Sequence, residues 1–82
     1  KMDSKRKTFI LQKNIDFFTA ALSQTPVSVW QEDATGVYCE ISRGCIEMFS
    51  DQVIRIANPD HTTSHYERSS TMFQAVMQDK PI

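Results

Sequence analysis

The apolar residues change their spacing along the chain, and each change predicts an element. From about Thr8 to Ser23, Leu11, Ile15, Phe18 and Leu22 recur at i, i+4, i+7 and i+11, the spacing of one helical seam. Ile10, Phe17 and Ala21 form a second, partial stripe beside it. Such a helix either turns one wide face to its own core or serves two neighbours, its own domain and a partner helix. Pro26 ends it, because the proline ring pushes Thr25 out of the α region. Val27, Val29 and Gln31 then alternate with Ser28, Trp30 and Glu32, the period of a strand. Glu32-Asp33-Ala34-Thr35-Gly36 is turn chemistry: Asp33 can accept from amides ahead of it, and Gly36 takes a positive φ at no steric cost. Val37, Cys39 and Ile41 alternate with Tyr38, Glu40 and Ser42 as the return strand of a hairpin.

Beyond the hairpin the spacing again reads as helical. Ser42 suits an N-cap for a helix in which Cys45, Met48 and Phe49 share a face, with Ile46 at its edge. Gly44 weakens that helix by up to about 1 kcal/mol relative to alanine. Ser50 to Ile56 forms a short segment anchored by Val53, Ile54 and Ile56. Asn58-Pro59-Asp60 marks a loop or a helix start, with Asp60, Thr62 or Thr63 as cap. A last helix is expected from about Ser64 to Gln78, with Tyr66, Ser70, Phe73 and Met77 along one face. Pro81 stops it.

A length of 82 residues allows one domain with a modest core. No apolar run approaches the ~20 residues of a membrane span, and no leader pattern opens the chain, so a cytoplasmic location without membrane contact is the expectation. The net charge of −1 conceals an asymmetry: residues 1–13 carry five basic side chains against one acidic, and the remainder is acidic. A basic N-terminal arm with Lys5-Arg6-Lys7 supports an alternative reading as a small nucleic-acid-binding module. Cys39, Cys45, His61 and His65 have the spacing C-x5-C-x15-H-x3-H, whose cysteine gap is too long for a zinc knuckle, so no metal is expected. No nucleophile elbow, phosphate loop or dinucleotide fingerprint is present, and Glu32, Asp33, Glu40 and Glu47 form no evident acid–base pair, so the chain reads as a non-enzyme.

The order of these elements resembles a PAS domain from about Phe17 to Ile82. The matching steps are Thr25-Pro26, the turn Asp33-Ala34-Thr35-Gly36-Val37, Ser42-Arg43-Gly44, Met48-Phe49-Ser50, Asn58-Pro59-Asp60-His61 and the closing Asp79-Lys80-Pro81-Ile82. The sequence departs from the family pattern at Ser42, Ser50 and Asp79. The resemblance implies an α+β fold with an N-terminal amphipathic helix, an antiparallel hairpin, middle helices and a long helix of the type called F in that family. The family's last three strands have no counterpart here. Residues 1–24 read as a basic arm and dimerisation helix, and 25–82 as an incomplete PAS-like domain. Asn14-Ile15-Asp16-Phe17-Phe18 ahead of the Pro26 strand is similar to the PAS-like domain of conjugative-transfer activators.

The implied role is sensing and homodimerisation within a bacterial transcription regulator, with DNA bound only by a separate domain and a small-molecule ligand admitted. The pocket implied by the resemblance is lined by Trp30, Tyr38, Cys39, Met48, Phe49, Ile54 and Phe73, or these side chains simply fill the core. The implied dimer interface draws on Ile10, Leu11, Ile15, Phe17, Phe18 and Leu22. The family's haem-ligand position falls near Arg68 rather than a histidine, and the flavin-binding cysteine signature is missing, so no cofactor is implied.

Overall fold

The computed structural model describes residues 6–78 and folds them into six strands and a single α-helix. Strand β1 spans Arg6–Ile10, α1 Asn14–Ser23, β2 Val27–Glu32, β3 Tyr38–Phe49, β4 Val53–Ala57, β5 Thr63–Glu67 and β6 Met72–Gln78. A 3₁₀ turn, Arg68–Ser70, joins β5 to β6. The strands form one sheet in the order β1-β6-β2-β3-β4-β5, and every neighbouring pair is antiparallel. The long strand β3 divides its partners: its first half pairs with β2 up to Gly44, and its second half pairs with β4 from Cys45.

The β2–β3 hairpin lies where period-two alternation places it. Asp33 Oδ1 accepts from the Thr35 amide at 2.8 Å, the Thr35 hydroxyl at 2.7 Å and the Val37 amide at 3.1 Å. Gly36 takes the left-handed conformation that the turn requires, with φ of 85°. The β4–β5 connection repeats this chemistry, with Asp60 Oδ1 accepting from the Thr62 amide and hydroxyl.

Helix α1 begins at Asn14, six residues later than the helix expected from Thr8, because the residues before it end a strand. Leu11 donates its amide to the Phe73 carbonyl at 2.9 Å, which fastens the end of β1 to β6. Asp16 Oδ2 then accepts from the Gln12 and Lys13 amides, each at 2.9 Å, and its charge favours the helix N-terminus. At the other end Gln24 is left-handed, with φ of 54°, and donates its amide to Ala21 O. Phe17 and Ala20 bury one face of α1 against Val27, Val29, Ile46, Ile54, Ile56, Phe73 and Ala75. Fully burying each large member of this set stabilises the fold by roughly 1.5–3 kcal/mol. The Phe17 ring lies 5.7 Å from Phe73, edge to face, and 6.0 Å from Phe49.

Three expected helices are corrected. The seam from Thr8 is split, because Arg6–Ile10 pairs with Gln74–Gln78 as an edge strand before the helix starts. The helix expected from Ser42 to Phe49 is instead the second half of β3. A bulge there places three residues of β3 against two of β4: Ile46 faces Ile56 and Phe49 faces Ile54, with a register shift between Ile46 and Met48. The inward residues of β3 are therefore three apart and imitate helical spacing. The helix expected over 64–78 is β5, the 3₁₀ turn and β6. Tyr66 and Phe73 meet at a centroid distance of 6.2 Å from two different strands, not from successive turns of one helix.

The PAS-like α+β architecture is thereby overturned: these residues form mainly antiparallel sheet with one short helix. The sheet does not lack three strands, since β4, β5 and β6 are built from segments that the motif reading assigned to helices and loops. The Lys1–Lys5 part of the basic arm and the closing Asp79–Ile82 step lie outside the described residues.

Candidate functional site

Seven side chains were expected to line one pocket, and the sheet divides them. Ile54 and Phe73 are fully buried in the core, and Phe49 packs against it. Trp30 lies on the opposite face of β2 from Val29, half-buried, its indole N–H donating to Ser28 Oγ at 2.8 Å. Ser28 in turn donates to the Gln74 carbonyl at 3.3 Å, so the one buried polar side chain among the described residues is satisfied. Met48 is exposed across from Arg55, and Cys39 is exposed with its Sγ 3.7 Å from Asp33 Oδ2. Tyr38 is exposed near the start of β3.

The expected interface residues also separate. Leu11 and Phe17 belong to the chain's own core. Ile15, Phe18 and Leu22 do not: they follow one stripe of α1 at i, i+3 and i+7, and their exposures are 60%, 51% and 73%. Ile10 is exposed on the edge strand β1.

Two clefts open beside α1. One, of about 330 Å³, lies between α1 and the β1–β6 edge, with Phe9, Leu11, Ala20 and Ala75 as apolar walls and Asp16, Thr19 and Ser23 on the helix side. The other, of about 350 Å³, is walled by Ile10, Leu11, Met72 and Phe73 and carries the polar groups of Gln12, Tyr38, Thr71 and Arg68. Arg68 is the charged group among the residues that line this cleft. Its guanidinium carbon stands 4.4 Å above the Phe17 ring centre, within range of cation–π attraction. Nη1 donates to Ser50 O at 2.6 Å and Nη2 to Gln12 O at 3.2 Å, while its own amide donates to Gln52 O at 2.7 Å. Arg68 thus ties the β3–β4 turn to the β1–α1 connection.

It also differs from the other arginines whose side chains are described. Arg43 pairs with Glu40 and Arg55 with Glu47, each at 3.0 Å. Among the described residues, Arg68 has no carboxylate within 4.0 Å. Sequence reasoning considered Arg68 only as a missing haem ligand. Its partners Ser50 and Gln12 are 18 and 56 positions away, so no local spacing signals the arrangement.

Carboxylates elsewhere serve the turns. The Thr35 hydroxyl, followed by the Val37 and Thr35 amides, holds the Asp33 carboxyl down at about 2. The Lys13 and Gln12 amides lower Asp16, and the Thr62 hydroxyl lowers Asp60. His61 stands in the β4–β5 turn with φ of 71°, and His65 is exposed on β5. No three residues among His, Cys, Asp and Glu converge as metal ligands within the described residues. Compared with protein-family models, curated proteins and solved structures, the chain finds no match. The regulatory and conjugative roles drawn from the PAS motifs lose their structural footing with that fold.

Proposed function

We propose that this chain is a non-enzymatic self-association module that pairs with a second copy through the outer stripe of α1. One observation carries the reading: Ile15, Phe18 and Leu22 are exposed along a single stripe of the helix, while its other face is consumed by the core. Scattered exposed apolar side chains are ordinary, but three large ones on one helical stripe make a contiguous patch.

A second copy is the occupant that this patch suits. Phe18 stands near the middle, with Ile15 three positions before it and Leu22 four after. An antiparallel pairing about a two-fold axis places Ile15 of one copy against Leu22 of the other, with the two Phe18 rings at the centre. The helix dipoles oppose one another in that arrangement, which is favourable. A net charge of −1 gives two copies almost nothing to repel. Helix α1 has only ten residues, so the contact is smaller than the ~1,200 Å² of a stable interface, and the dimer is expected to be weak and concentration-dependent.

Sedimentation of the wild type against Phe18→Glu and Leu22→Glu tests this. The wild type should shift from monomer to dimer with rising concentration, and both variants should remain monomeric with unchanged thermal stability. A wild type that stays monomeric at every concentration, or variants that still dimerise, would remove the reading.

A further inference from the structure

We propose that the cleft at Arg68 binds a small monocarboxylate with an apolar body, such as a medium-chain alkyl carboxylate. The inference starts from the unbalanced charge. A guanidinium carries five N–H donors in a planar fork and remains ionised at any pH a folded protein meets. Two hydrogen bonds of the Arg68 head, to Ser50 O and Gln12 O, leave three donors without a protein acceptor among the described residues. Both acceptors are neutral carbonyls, which orient the fork without cancelling its charge.

The fork is also held still. Its stack over Phe17 at 4.4 Å and its two carbonyl contacts fix the guanidinium plane. Binding therefore does not have to order a long side chain. Carboxylate and phosphate oxygens both match such a fork.

The rest of the cleft selects the body of the ligand. Ile10, Leu11, Met72 and Phe73 form apolar walls, and the cavity of about 350 Å³ falls at the small end of ligand-pocket sizes. Tyr38 and Thr71 add hydroxyl donors to the lining. Phosphate esters are disfavoured, because a dianion would meet a single cation, Arg68, among the residues that line the cleft. None of Ile15, Phe18 or Leu22 lines this cleft, so the inference stands or falls independently of self-association.

The test is a titration of the isotopically labelled chain with octanoate and, separately, with 1-octanol, followed by amide and arginine side-chain NMR resonances. Octanoate should move Gln12, Thr71, Met72 and Phe73 and the Arg68 Nε resonance, binding at least about tenfold more tightly than the alcohol. Arg68→Gln should abolish that preference. Because Arg68 also joins two loops, a second variant guards against simple unfolding: Ile10→Glu alters an exposed edge-strand position and sets a carboxylate at the cleft wall. It should weaken octanoate at least about tenfold while leaving the alcohol unchanged. Equal binding of octanoate and octanol, no shift with octanoate at millimolar concentration, or full octanoate affinity in folded Ile10→Glu would each overturn the proposal.

Discussion

At Gly44 the backbone of β3 comes so close to β4 that a methyl group has no room. A Cβ built there meets the Ala57 carbonyl oxygen and lies 2.7 Å from Ile56 Cγ2. The carbonyl belongs to the backbone of a paired strand and cannot swing aside. Gly44→Ala is therefore expected to destabilise the fold by about 1–3 kcal/mol, the usual cost of forced overpacking, as read from the urea midpoint. Asp33 makes a second residue-scale prediction. Its folded carboxyl is held at about 2, below the ordinary 3.8, so the ionised form favours the folded state. That contribution is complete above about pH 5 and is lost as pH falls from about 4 through 2. Asp33→Asn keeps an acceptor but not the charge. It should lower stability at neutral pH and flatten the acid limb of a stability profile measured between neutrality and pH 2. An unchanged acid limb would mean that the turn does not use the charge.

Elements show where the sequence was legible and where it was not. The β2–β3 hairpin could be read because both signals are local: alternation from Val27 to Glu32, and Asp33 with Gly36 at the corner. Helix α1 could be read from its helical spacing, but the leading seam was placed on the wrong face: Ile15, Phe18 and Leu22 are exposed, and Phe17 with Ala20 faces inward. The second half of β3 misled because its bulge converts a period of two into a spacing of three between Ile46 and Phe49. The 64–78 segment misled because a 3₁₀ turn resets the phase between Tyr66 and Phe73. The cleft stayed hidden for a different reason: Arg68, Phe17 and Gln12 are brought together by the fold and by no motif. The double stripe of α1 carries its own prediction. Phe18→Ala should leave the urea midpoint nearly unchanged, whereas Phe17→Ala should cost about 3–5 kcal/mol, because only Phe17 is buried. Comparable losses at both positions would show that Phe18 already has a partner.

For the molecule as a whole, the sheet order has a consequence for how the chain reaches its fold. Strand β6 lies between β1 and β2, so the last described strand is the one that joins the first to the rest. Until Met72–Gln78 inserts, β1 has no partner and β2 lacks one of its two. During synthesis β1 must wait until Met72–Gln78 has been made, exposing Phe9 and Ile10 in the interval. Refolding should accordingly be slow for a domain of this size, since closing β1 on β6 spans some 60 residues in a single loop. A stop after Thr71 should leave not a trimmed domain but an unfolded one, seen as loss of the near-ultraviolet signal of Trp30. The place of β6 between β1 and β2 thus makes the fold a clasp that fastens last.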